Sequence, residues 1–202
     1  MYNIIKSSIT QFELLVNLFV SDAYNNKDNS KIHARRKIDM NMFSNQSLPY
    51  PDIDGIMKDP SLVGGISAVR VGELSDVSDY IYYSLMLGES YPTLSEMFEK
   101  MAMSEMRHFG LLGKMIIRLG GDPAVRTRHS NPFYGKPERL DTQSVKRILT
   151  TSLEGEMAGV KNYMKLASST ADKAASALLE RIAADEDHHA RMLSRALEEL
   201  MG

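Results

Sequence analysis

The sequence predicts an all-α protein: four long helices in a bundle, arranged as two antiparallel hairpins joined by one long crossover. An N-terminal helix and a linker precede them. Three observations carry this prediction. From Ser61 onward, apolar residues recur at helical spacing in four long segments. The connections between these segments alternate short, long, short. The composition is that of an ordinary globular chain, 43% hydrophobic and 25% charged with a net charge of -2.

Residues 1–60 form the appendage. Phe12–Val20 is an apolar stretch with Lys6 before it and Ser21-Asp22-Ala23 after it, loosely like a secretory signal. Glu13 and Asn17 interrupt it, while Phe12, Leu15, Val16 and Phe19 share helical spacing, so a docked amphipathic helix in a cytoplasmic protein is the expectation. Residues 24–60 hold three prolines and many Asn and Asp residues, the mark of an irregular polar linker, with a short helical piece around Ala34–Met42. The basic group Lys31, His33, Arg35, Arg36 and Lys37 reads as a solvated loop or subunit contact rather than a nucleic-acid surface. No apolar run approaches the ~18–20 residues of a membrane span.

Residues 61–202 form the bundle. The first helix runs Ser61–Leu87 and stops at Gly88, with Pro92 following. The second opens on Thr93-Leu94-Ser95-Glu96, a capping-box pattern, and closes on Leu119-Gly120-Gly121-Asp122-Pro123. The third starts at Asp141, a good N-cap, and reaches about Ala167; the fourth spans roughly Asp172–Leu200. The link 120–140 is long enough to run the length of a ~39 Å helix.

The two hairpins repeat one pattern. Glu73 is followed seven residues later by Tyr80 and then by Glu105-Met-Arg-His108; Glu156 is followed seven residues later by Tyr163 and then by Glu186-Asp-His-His189. The midpoints of Glu73/Glu105 and Glu156/Glu186 fall in the two short turns, so each pair of carboxylates lies at one height. These polar residues interrupt otherwise apolar stripes, such as Phe98, Met101, Glu105, His108, Leu112 and Ile116. Surface glutamates and core histidines would explain a lone Glu-x-x-His, but two copies with matched Glu and Tyr residues upstream point to a common site.

Four carboxylates buried together repel one another, and two divalent cations cancel their charge. The expected ligands are Glu73, Glu105, His108, Glu156, Glu186 and His189, a nitrogen and oxygen set suited to two iron or two manganese ions, with zinc as a further option. With no cysteine in the chain, thiolate zinc, iron–sulfur and rubredoxin-type centres are excluded. Glu154 lies ~200° from Glu156 around the helix and falls on the polar face. Asp76 reads as exposed, or as an extra carboxylate near the site. His188 reads as peripheral, though it competes with His189 as the ligand; His33 and His129 carry no assignment. Tyr80 and Tyr163 are expected to hydrogen-bond the metal-layer carboxylates, or else to be core residues; the 14 methionines read as core filler.

On GELSDVSDY (72–80), SEMRHFGLLGKMIIRLGGDP (104–123), EGEMAGVKNY (154–163) and LLERIAADEDHHARML (178–193), the chain resembles the ferritin-like superfamily, and within it the rubrerythrin-like and manganese-catalase-like proteins. The resemblance implies that the six ligand positions carry over, with Glu105 and Glu186 bridging the metals, and that the pair reacts with peroxide or dioxygen. Two departures stand out. These 202 residues hold no cysteine and so no rubredoxin centre, and Gly159 occupies the place of an additional rubrerythrin glutamate.

The leading expectation is therefore a dimetal oxidoreductase of peroxidase, catalase or ferroxidase type. Glu105, Glu186, Tyr80 and Tyr163 would serve the chemistry in a homo-oligomer, with an external electron donor if the metal is iron. Two alternatives stand beside it: an iron-oxidising storage subunit, and a structural or coat protein whose bundle is stabilised by metal.

Overall fold

The computed structural model describes residues 48–125 and 140–201. The expected N-terminal helix, the helical piece at 34–42, the basic group at 31–37, His33, His129 and the middle of the crossover lie outside the described residues. Four helices follow one another: α1 (Pro60–Leu87), α2 (Pro92–Leu119), α3 (Thr142–Ser168) and α4 (Lys173–Met201). Among the described residues there is no strand, and no helix is long and apolar enough to cross a membrane. The four-helix bundle is thus the observed architecture.

Local chemistry sets the helix ends. Asp59 caps α1 by accepting from the Ser61 N–H at 3.0 Å, and Asp141 caps α3 by accepting from the Ser144 N–H at 2.7 Å. Asp172 accepts from the N–H groups of Ala174 and Ala175 at the start of α4. The capping box expected at Thr93–Glu96 does not form. Pro92 already lies in the first turn of α2, Tyr91 is the N-cap without a side-chain bond, and Glu96 pairs with Lys100 instead. Proline needs no N–H partner there and arrives with a helical φ, so the helix starts one residue before Thr93. Gly88 ends α1 in right-handed geometry, while Gly120 ends α2 at φ 91°, with its N–H and that of Gly121 returning to Ile117 and Ile116.

Side-chain bonds between helices give the directions. Tyr80 pairs with Glu156 and Tyr163 with Glu73, so α1 and α3 run antiparallel. Since α2 reverses α1, α2 and α3 run the same way. Each hairpin packs closely within itself; α1 and α3 touch each other far more sparsely.

Two apolar clusters fill the ends of the bundle. One is built around Ile66, Leu112, Leu119, Leu178 and Ile182, the other around Leu87, Phe98, Met101, Leu149 and Leu193. Ile56 from the segment before α1 joins the first. Between them lies a buried polar layer. Gly120→Ala is expected to cost about 1 kcal/mol, because an alanine resists positive φ, and to lower Tm by about 2–4 °C. Thermal unfolding monitored by circular dichroism checks this.

Candidate metal centre

The polar layer is formed by one carboxylate from α1 (Glu73), one from α3 (Glu156), and a Glu-x-x-His from each of α2 (Glu105, His108) and α4 (Glu186, His189). All six are at least 95% buried. Their ligand atoms fall into two groups, Glu73/Glu105/His108/Glu186 and Glu105/Glu156/Glu186/His189, with the atoms of each within 4.8 Å of one another. Each group draws on both hairpins and both use Glu105 and Glu186. The four helices thus bring together all six residues the sequence pattern singled out. Glu154 is exposed, as its angular position requires, and His188 belongs to neither group.

Glu105 lies at the centre. Its Oε2 is 2.7 Å from His108 Nδ1, and its Oε1 is 2.8 Å from His189 Nδ1. Glu73 Oε2 and Glu186 Oε1 approach His108 Nδ1 at 3.4 and 3.1 Å, and Glu156 Oε2 approaches His189 Nδ1 at 3.5 Å. Yet Glu73 Oε2, Glu105 Oε1, Glu156 Oε2, Glu186 Oε1 and His189 Nδ1 are buried without hydrogen-bond partners. Such atoms cost free energy unless something neutralises them. A cation between them would do so, and the nitrogen and oxygen donors suit iron, manganese or zinc.

Without a cation the cluster shares protons. Burial pushes Glu73 up to about 8, with His108 pulling down and Glu105 pushing up. Burial and the charges of Glu105 and Glu156 raise Glu186 well above the carboxylate range. Glu105 goes the other way: burial raises it, but His189 and His108 together hold it well below that range. Burial would lower the histidines, but Glu105 and its neighbours raise His108 well above 6.5 and His189 to about 10.

Tyr80 and Tyr163 cross-link the hairpins, each hydroxyl donating to the carboxylate of the opposite one. Burial, then the nearby carboxylates, raise both phenols well above 10, so they remain donors. A cavity of about 430 Å³ lies in the loose α1–α3 seam, reaching from exposed Gly72, Gly155 and Ala158 to Glu73, Glu156, Glu186 and both tyrosines. Asp76 lines it. It is half-buried rather than exposed, and burial together with Glu105 and Glu156 pushes it up to about 7. At Gly159, a Cβ would meet Glu186 Oε2 at 3.3 Å. A side chain there would press on the Glu186 carboxylate.

Sequence reasoning missed two participants. Asp185 is buried, forms an ion pair with Arg181 Nη1 at 2.5 Å, and hydrogen-bonds His108 Nε2 at 3.1 Å and the Tyr50 hydroxyl at 2.6 Å. Burial pushes Asp185 up, but these three partners outweigh it and hold it at about 2. A signal existed: Ile182, Asp185, His189, Met192 and Ala196 follow one buried stripe at 3–4 residue spacing. Tyr50, in irregular chain, left no comparable pattern.

Comparisons with known proteins agree with the bundle fold. Residues 78–201 match the family model described as Ferritin-like domain. The structure of Mycobacterium tuberculosis bacterioferritin, BfrA, superposes with a TM-score of 0.56 at 22% identity, covering 70% of this chain and 87% of that one. No curated protein matches the sequence.

Glu73 and His189 both hold protons more tightly in the folded chain. Their contribution to stability is complete below 4.5 and 6.5, respectively, and is lost as pH rises through about 8 and about 10. Asp185 acts oppositely, contributing above 3.8 and losing its contribution as pH falls through about 2. Cations compete for the same protonated groups, so they bind more tightly as pH rises. The Tm of chelator-treated protein should therefore fall between about pH 6 and about pH 9, while the increment from added manganese grows. Scanning calorimetry with and without metal measures both.

Proposed function

The chain belongs to the ferritin-like domain family, and on that premise we propose that it is an iron-handling protein that binds two cations in the bundle and oxidises ferrous iron with dioxygen or hydrogen peroxide. The observation that carries this reading is the pair of buried donor groups that share Glu105 and Glu186 while five of their atoms lack a hydrogen-bond partner. Glu73, Glu105, His108 and Glu186 would hold one ion, and Glu105, Glu156, Glu186 and His189 the other, with Glu105 and Glu186 bridging. A bound iron or manganese pair supplies the one-electron couples that reduction of dioxygen or peroxide requires.

The rest of the work falls to the chain. Ferrous iron enters through the α1–α3 cavity, where Asp76 offers a first carboxylate. Glu73 and Glu186 release their protons on loading. Tyr80 and Tyr163 hold Glu156 and Glu73 in place and keep a proton beside each. With peroxide the balance is two ferrous ions, one peroxide and two protons giving two ferric ions and two waters. The clusters above and below the layer exclude water from the remaining sides.

A second reading is a peroxide-consuming enzyme of rubrerythrin or manganese-catalase type. The two tyrosine–carboxylate pairs favour it, since each keeps a proton where a departing oxygen would need one. Gly159 counts against the rubrerythrin form, because it offers no carboxylate where rubrerythrins carry a further glutamate. In either case the chain is expected to assemble as a homo-oligomer.

Anaerobically purified protein should take up two ferrous ions per chain and oxidise them when dioxygen or peroxide is added, followed by stopped-flow absorbance. Glu105→Gln should slow that oxidation at least about 100-fold while the helical circular dichroism persists. Oxygen evolution from peroxide by manganese-loaded protein without iron would select the catalase reading. Metal-dependent stability with neither reaction would leave a structural bundle only.

A further inference from the structure

The segment before α1 reaches the metal centre from the side opposite the cavity. Met57 N–H donates to Asp172 at 2.7 Å, Asp54 pairs with Arg118, and Ile56 is buried in the core. These fastenings hold Tyr50 between two guanidinium groups, Arg107 from α2 at 4.4 Å and Arg181 from α4 at 4.6 Å from its ring centroid. Arg181 also donates to the Leu48 carbonyl at 2.9 Å. The Tyr50 hydroxyl donates to Asp185 Oδ2 at 2.6 Å and lies 3.1 Å from His108 Nε2, which is itself 3.1 Å from the same carboxylate oxygen.

This arrangement bears on His108 alone. An imidazole whose Nε2–H donates to Asp185 presents its Nδ1 lone pair, and Nδ1 is the atom facing Glu73, Glu105 and Glu186. Asp185 immediately precedes Glu186; the corresponding position before Glu105 is Ser104, which has no carboxylate. The two halves of the centre therefore differ in what supports their histidines. Tyr50 also lies outside the matched family region, residues 78–201.

We propose that Tyr50 is a positioning residue for one of the two cation subsites: through Asp185 it holds His108 with Nδ1 toward the carboxylates, and so sets the affinity of the Glu73/Glu105/His108/Glu186 subsite but not of its neighbour. This rests on the dinuclear reading above. Removing the hydroxyl frees Asp185 Oδ2 from its shortest partner and lets the imidazole turn. Outer partners of metal-bound histidines typically change affinity about 10–100-fold.

The test is a titration of metal-free full-length protein with manganese(II), followed by electron paramagnetic resonance and calorimetry, for wild type, Tyr50→Phe, Asp185→Asn and Arg107→Gln. Wild type should bind two ions. Tyr50→Phe and Asp185→Asn should weaken one step about 10–100-fold and leave the other within about twofold, with the metal-free Tm of Tyr50→Phe close to wild type. Arg107→Gln, which keeps the hydroxyl, should retain both steps. In zinc-loaded protein, the Nε2–H resonance of one histidine should move or vanish in Tyr50→Phe while the other stays. If wild type binds two ions and Tyr50→Phe loses neither step, or loses both equally, the proposal is overturned and the dinuclear reading stands. If wild type binds none, the dinuclear reading falls and this proposal with it.

Discussion

Four carboxylates forced into one dry layer are the constraint from which the rest of this structure follows. In a bundle this narrow, any residue on an inward stripe is removed from water, and Glu73, Glu105, Glu156 and Glu186 sit on such stripes. Their mutual repulsion would open the interior unless positive charge were placed among them. Two imidazoles supply part of it, bound protons supply more, and the orphaned oxygen atoms mark where the compensation stops short. The apolar clusters at either end hold the layer closed against that repulsion. Stability thus depends on what compensates the carboxylates at one height in the bundle.

Most of this was legible in the sequence because helices translate spacing into geometry with little ambiguity. A Glu seven residues before a Tyr, a Glu-x-x-His on the following helix, and a turn at their midpoint suffice to place donors at one level. Helix ends were legible where the cap is chemically decisive, as at Asp141 and Gly120. At Thr93 the local pattern misled, since Pro92 at the first helical position overrode a side-chain motif of similar strength. For Asp76 the sequence left two readings, because its exposure depends on how loosely α1 packs on α3, a tertiary quantity that spacing within α1 does not carry; the structure places it beside the site.

Tyr50 and Asp185 show where such reading ends. Asp185 was legible in principle, since it shares the buried stripe of Ile182 and His189. Tyr50 was not. It belongs to chain without periodicity, and only the folded arrangement brings it across 135 sequence positions to its partner. The outer shell of a centre is assembled from wherever the chain happens to pass, whereas the inner shell follows the helices.

The near-repeat of the two hairpins gives the polar layer an approximate twofold symmetry. Neither hairpin holds a full donor group, yet two identical copies of one hairpin, related by a twofold axis, would furnish every carboxylate and imidazole and both phenols. The places where the halves differ, Asp185 against Ser104 and Asp76 against Gly159, break that symmetry, so the two ends of the centre sit in unlike surroundings.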